Sequence, residues 1–360
     1  MKVWLAPSAF YPAIGGVESV TARLANELQA RGHEVLVLTN KWPSSASWTE
    51  RVDGVPVHRL RFVDIGRRPD RWPAYVEASV AVRRTLNALE RPDVVHVHCV
   101  AGQAVPLAAY CERLHVPLVL TTHGETAMDE RQVFQRSALR RHALRRSASS
   151  ARHLTAVSAW TKAHATSMAR TFSRAHVIGN GVDVHAWTGL PVVEAPVYAA
   201  YGRHVPQKGF DVLLRAFDTL RQHLPSARLL LGGHGAQTER LSAIAGPGVE
   251  LVGSLDPAGV RALLGRARIV VVPSLVEPFG LVALEAMAAG RRIVYTNTGG
   301  LQEICRSRGF AAEPGDAQGL AAALHAAHSS PDGRTPDTHD LAAEYSWPRI
   351  TDSYERLYSE

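Results

Sequence analysis

Short apolar runs rich in β-branched residues recur along this chain, and helical stretches lie between them. That alternation constrains the fold more than any other feature. Val3–Ala6, Val35–Thr39, Val94–His98, Leu118–Thr122 and His153–Val157 read as strands in the first half. The clearest helix there covers Val17–Ala30, where Val17, Val20, Leu24 and Leu28 recur on one face before Gly32 ends the run. After a break at Trp187–Pro196 the pattern restarts, with strands at Val197–Tyr201, Arg228–Leu231, Val249–Val252, Ile269–Val272 and Arg292–Tyr295. Helices are expected over Gly209–Arg221, Pro257–Arg266 and Leu281–Ala289. Strands alternating with helices form parallel sheets covered on both faces. The reading is α/β: two Rossmann-like parallel-sheet domains at 1–186 and 197–345, joined by a linker at 187–196. Ser329–Asp340 reads as a polar surface loop, and 346–360 as a helix packing Ile350, Tyr354, Leu357 and Tyr358 onto the body of the protein.

With 360 residues, 46% of them hydrophobic and 20% charged, the chain can build two real cores. No apolar run approaches bilayer length, and Met1–Ala6 reads as a first strand, not a secretion signal. Cys99, Cys111 and Cys305 form no CxxC pair, so a reducing, cytoplasmic setting is expected. A net charge of +7 fits nucleotide, anionic-membrane or nucleic-acid partners and selects none. Much of it lies between Arg131 and Arg152, around a loose apolar stripe of Val133, Phe134, Leu139 and Leu144. This segment reads as the solvated face of a surface helix, or as a basic amphipathic helix in peripheral contact with anionic lipid.

Function is written most densely at Glu277-Pro-Phe-Gly-Leu-Val-Ala-Leu-Glu285. Pro278 and Gly280 interrupt regular structure, which places Glu277 in a loop and Glu285 inside the helix that follows. The amides of Phe279, Gly280, Leu281 and Val282 are then helix-start donors without partners, a site suited to phosphate. Two carboxylates flanking a phosphate site suit a molecule with polyols at both ends of a diphosphate: a nucleotide sugar. The same pattern also fits an ordinary strand-loop-helix with a glutamate at the helix dipole.

Other motifs follow other strands, where ligands of open α/β sheets bind. Gly15-Gly16 leads into the Val17 helix, either as a close backbone approach to a ligand or as a plain turn; it is not the GxGxxG dinucleotide fingerprint. Arg203 and Lys208 share one loop and could neutralise a diphosphate, or be two solvated cations. His123, at the end of a strand, could line a reacting sugar or be structural. His96 and His98 share a strand face and read as core and cleft lining, because no further metal ligands accompany them. No Asp-x-Asp occurs, which weakens the case for a metal-diphosphate site, and no metal or cofactor is expected.

These motifs together resemble the retaining glycosyltransferases of family 4, which have a GT-B fold with two such domains facing a central cleft. Glu277 through Glu285 matches their EX7E signature, flanked by Ser274-Leu-Val and by Thr298-Gly-Gly-Leu-Gln-Glu303. Gly15-Gly16, Gly179-Asn-Gly-Val-Asp183, Gly202-Arg203, Lys208-Gly209 and Gly232-Gly-His-Gly235 also look like this family, in the right order over essentially the whole chain. The resemblance implies that Arg203 and Lys208 hold the donor diphosphate, Glu285 the ribose and Glu277 a sugar hydroxyl. Amides of Phe279 to Val282 would hold sugar and phosphate. His123 would line the reacting sugar, Leu255 would face the nucleobase, and Gly15, Gly16 and His98 would lie toward phosphate and acceptor. It further implies an N-terminal acceptor domain, a C-terminal nucleotide-sugar domain, and a last helix that crosses back onto the first domain. Arg291-Arg292 and His204-Val205 depart from the family pattern.

The expected activity is metal-independent transfer from a UDP- or GDP-sugar to an acceptor hydroxyl on a small metabolite or antibiotic core. A lipid or polysaccharide acceptor at the membrane, a sugar-nucleotide epimerase and a non-catalytic nucleotide-binding subunit are the competing readings.

Overall fold

The computed structural model describes residues 1–13, 15–63, 72–128, 133–306, 308–330 and 338–360. It divides into two compact units, Met1–Gly181 with Trp347–Glu360, and Val182–Ser346.

Unit 1 is built on β1 (Lys2–Pro7), β2 (Glu34–Asn40), β3 (Thr49–Val52), β4 (Val55–Leu60), β5 (Val94–His98), β6 (Leu118–Thr122), β7 (His153–Ala156) and β8 (His176–Val177). They form one sheet in the order β3-β4-β2-β1-β5-β6-β7-β8. Every pairing is parallel except β3 with β4. Unit 2 carries β9 (Val197–Tyr201), β10 (Arg228–Gly232), β11 (Val249–Gly253), β12 (Ile269–Val272), β13 (Arg292–Thr296) and β14 (Phe310–Ala312). Their order is β11-β10-β9-β12-β13-β14, and all pairs are parallel. Continuous apolar strands end up buried on both faces, as in β12, where Ile269, Val270, Val271 and Val272 are all in the core.

The helices follow from their apolar faces. Gly16–Ala30 buries Val20, Leu24, Ala25 and Leu28 at the spacing of one helical stripe. Phe210–His223 buries Phe210, Leu213, Leu214, Phe217 and Leu220 against β9 and β10. The last helix, Trp347–Ser359, buries Trp347, Ile350, Tyr354, Leu357 and Tyr358 within unit 1. Arg31 fastens it by donating to Asp352 (2.6 Å), Glu355 and the Pro348 carbonyl (2.8 Å).

Several details differ from the sequence reading. The units divide at Gly181 and Ser346, so the segment 187–196 lies inside unit 2, partly as the end of a 3-10 turn at Val184–Trp187. Four short strands, β3, β4, β8 and β14, had not been expected. The β3–β4 pair is a hairpin turned by Asp53 (φ 48°) and Gly54 (φ 83°), the two left-handed residues that a tight type I′ turn requires. Of the expected loop Ser329–Asp340, residues 331–337 lie outside the described residues, and Thr338 already begins the helix Thr338–Tyr345. The basic segment is two helices, Val133–Arg136 and Ala138–Ser150, with 131 and 132 outside the described residues. Ser137 starts the second by accepting the Arg140 amide at 3.3 Å, and the break leaves Leu139 exposed while Phe134 and Leu144 are buried.

The C-terminal helix is thus a structural part of unit 1. Replacing fully buried Tyr354 by Ala is expected to lower unfolding free energy by about 3–5 kcal/mol, read from urea denaturation.

Candidate functional site

In an open parallel sheet the loops diverge where the strand order reverses, leaving a crevice at the carboxyl ends. In unit 2 this point lies between β9 and β12, since β10 and β12 flank β9 on opposite sides. The β9 loop brings Arg203 and Lys208 there, and the β12 loop brings Glu277. Lys208 Nζ donates to Glu277 Oε2 at 2.6 Å, and Ser274 Oγ donates to the same oxygen at 3.0 Å. Both charged side chains are largely buried, at 17% and 10% exposure. Arg203 is exposed, and its guanidinium has no partner among the described residues.

The loop carrying Glu277 is fixed from several sides. Leu275 donates its amide to Gln207 (2.8 Å), and Gly300 donates its amide to the Glu277 carbonyl (2.8 Å). Gly299 has φ 55°, and a Cβ there would lie 2.0 Å from the Glu277 carbonyl oxygen, so only glycine lets the β13 loop approach this closely. The helix Leu281–Ala288 begins directly after this loop. Among the described residues the amides of Phe279, Gly280, Leu281 and Val282 donate no hydrogen bond, and they form an anion-ready helix start.

Glu285, one turn into that helix, accepts from the Tyr201 hydroxyl at 2.6 Å. Burial pushes its carboxyl up to about 7, and the Tyr201 hydrogen bond counters only part of that. At the carboxyl end of β10, Leu255 lies over Gly232, where an added Cβ would clash with it.

Unit 1 has its own reversal point, between β1 and β5. Gly15 caps the helix Gly16–Ala30 in extended conformation (φ −169°), with the Glu18 carboxylate packed against it. At the ends of β5 and β6, His98 Nδ1 and His123 Nε2 share a hydrogen bond of 3.0 Å. His96 stacks on His98 with ring centres 4.0 Å apart, and its own nitrogens meet the Tyr358 hydroxyl (2.7 Å) and Thr121 Oγ1 (2.6 Å). Burial lowers all three imidazoles, His96 to about 3 and His123 to about 4, with His98 well below its ordinary value. They are neutral at physiological pH and can orient a hydroxyl without adding charge. Glu125 holds this edge by accepting from the amides of Val100 and His123, both at 2.9 Å, and from Thr122 Oγ1 at 3.0 Å.

The structure therefore joins Lys208 to Glu277 and His98 to His123, and it sets Glu285 behind the helix start. Tyr201, Ser274 and Glu125 had not been singled out from sequence. The signal for Tyr201 and Ser274 was positional, since each lies at or just past the carboxyl end of a buried strand beside a motif. Among the described residues no group of three or more His, Cys, Asp or Glu could hold a metal ion, and no helix is long and apolar enough to cross a membrane.

Two parallel-sheet α/β units, one with an anion-ready helix start between two carboxylates, fit the GT-B architecture. Comparison with known proteins agrees. The model for glycosyltransferase family 4 matches residues 14–186, and that for glycosyl transferases group 1 matches residues 195–330. Glycogen synthase of Mycobacterium tuberculosis is 29% identical, over 97% of this chain and 92% of that one. Phosphatidyl-myo-inositol mannosyltransferase of the same organism is 28% identical, over 81% of this chain and 76% of that one. Among solved structures, sucrose-phosphate synthase from Thermosynechococcus elongatus superposes with a TM-score of 0.80 at 22% identity, covering 99% and 98% of the two chains. Anabaena HepE, solved with UDP and glucose, gives 0.77 at 18% identity, covering 100% and 99%. The chain belongs to glycosyltransferase family 4.

A desolvated ion pair adds little net stability over apolar residues of similar size. The double variant Lys208→Met/Glu277→Leu is therefore expected to melt within a few degrees of the parent or above it; a collapse in melting temperature would make the pair structural.

Glu285 binds a proton more tightly folded than unfolded, so the folded state carries the extra proton between the ordinary carboxylate pKa and about 7. Stability should fall as pH rises through that window, and Glu285→Gln should remove this part of the slope in denaturation followed from pH 5 to 8.

Proposed function

We propose that the chain is a retaining transferase that moves a sugar from a UDP- or GDP-sugar to an acceptor hydroxyl without a metal. The observation that carries this reading is the Lys208–Glu277 pair, held beside the open amides of Phe279–Val282. A diphosphate entering there offers Lys208 a stronger partner and frees Glu277 to accept from a sugar hydroxyl. Arg203, exposed and without a partner among the described residues, can join Lys208 on the phosphates. Glu285 takes the ribose hydroxyls, Leu255 faces the base, and His123 lines the reacting sugar. Gly15 and Gly16 lie toward phosphate and acceptor, with His98 on the acceptor side.

The acceptor oxygen attacks the anomeric carbon from the face that the diphosphate leaves. The bond from that carbon to the β-phosphate oxygen breaks, and its electron pair stays on the phosphate. The same phosphate takes the acceptor's proton, so nucleoside diphosphate departs and configuration is retained. Lys208 and Arg203 stabilise the charge that develops on the leaving oxygen. HepE solved with UDP-glucose and starch synthase IV solved with ADP support a sugar-nucleotide donor. A cytoplasmic setting agrees with Cys99, Cys111 and Cys305, which are buried and unpaired.

A lipid acceptor is the second reading, supported by likeness to the phosphatidyl-myo-inositol mannosyltransferase. The arginine-rich helices favour it less than their sequence does. Arg146 is paired with Glu112, and Arg141 donates to the Phe134 and Gln135 carbonyls.

Turnover of a nucleotide sugar should give a product whose anomeric proton coupling matches the donor's in NMR, with the rate unchanged by EDTA. Lys208→Ala should slow it on the order of a hundredfold. An inverted product would refute retention, and an epimerised donor formed without acceptor would refute transfer.

A further inference from the structure

On the carboxyl edge of β1 and β2, unit 1 has an open, groove-like cavity of about 370 Å3. Tyr11, Pro12, Pro43, Ser45, Glu50 and Val52 line it. Its walls come from the loop after β1, the loop after β2 and the β3–β4 hairpin, and one residue ties them together. Arg59 on β4 is 1% exposed, and its Nη2 donates to the Tyr11 carbonyl at 2.6 Å and to Glu50 Oε1. Its Nε and Nη1 are buried with no partner. Unfilled buried donors are uncommon, because each costs about 1–3 kcal/mol, more on a charged group. Two exposed tryptophans stand on the same segments, Trp42 (56%) and Trp48 (48%), with Lys41 and Arg61 against the Trp48 ring.

We infer that this cavity is a saccharide subsite that takes a pyranose ring of the acceptor. Tyr11, Pro12 and Pro43 offer ring surfaces for the C–H face of a sugar. Glu50, held by Arg59 through one carboxylate oxygen, has the other to accept hydroxyls, and Ser45 adds a hydroxyl. A phosphate or carboxylate would meet the Glu50 charge at the wall. An acyl chain would desolvate Glu50 with nothing in return. A neutral polyhydroxylated ring satisfies both surfaces. The cavity shares its sheet edge with His98 and His123, and β1 lies directly beside β5.

The assignment of this saccharide as acceptor rests on the transferase reading; its binding does not. Saturation-transfer NMR on the whole protein with maltotriose, cellotriose, chitotriose and mannotriose tests it. At least one should receive saturation at its ring protons, Tyr11→Ala should weaken that binding tenfold or more, and Tyr11→Phe should restore it. Glu50→Gln should also weaken binding, with near-ultraviolet circular dichroism checking that each variant is folded. The inference is overturned if no trisaccharide binds, or if binding is unchanged by Tyr11→Ala. Thermal shifts by UDP-, GDP- and ADP-glucose on the same samples separate the two claims. Donor shifts without saccharide binding overturn only the subsite, whereas saccharide binding without any donor shift overturns the proposed function.

Discussion

Two opposite charges taken out of water at the end of a parallel sheet organise unit 2. Lys208 and Glu277 come from loops far apart in sequence and meet only because β9 and β12 are neighbours at the point where strand order reverses. Holding them there requires the Gly299 approach, the Gly300 amide on the Glu277 carbonyl and the Leu275 amide on Gln207. The open helix start at 279–282 follows from the same loop. An ion pair so placed contributes little to folding; under the proposed function each charge is held by the other until a diphosphate and a sugar hydroxyl replace them.

Unit 1 uses burial in the opposite way. Its histidines lie where β5 and β6 end, kept neutral by desolvation and held by hydroxyls and each other, not by carboxylates. The last helix belongs to this arrangement, since the Tyr358 hydroxyl meets His96 and the Tyr354 ring packs against His96 with centres 4.9 Å apart. A neutral, polar edge suits hydroxyl recognition as a charged edge suits phosphate recognition.

Much of this was legible in the chain. Strands buried on both faces, such as β6 and β12, are continuous apolar or β-branched runs, and their positions follow directly from sequence. Glu277, Arg203 and Lys208 stood out because Pro and Gly punctuate the loops that carry them, and Glu285 because it lies in the helix that the Glu277 loop opens. Edge elements were not legible in the same way. The strand β3 is polar up to Val52 and β4 holds Pro56, although Asp53-Gly54 is a hairpin signal that could have found them. The short β8 and β14 have two and three residues, too few for periodicity to register. Side-chain pairings between elements, Tyr201 with Glu285 and Arg59 with Glu50, depend on how those elements pack, which no local pattern encodes. The basic stretch before Arg152 reads as one helix by charge, while a serine that caps backbone divides it in two.

The most direct test of the account is a structure of the protein with an intact nucleotide sugar bound. The account predicts that Lys208 Nζ leaves Glu277 for the diphosphate, with the phosphate against the amides of Phe279–Val282 and Glu277 accepting from a sugar hydroxyl. A donor bound elsewhere, with the Lys208–Glu277 pair still closed, would contradict it.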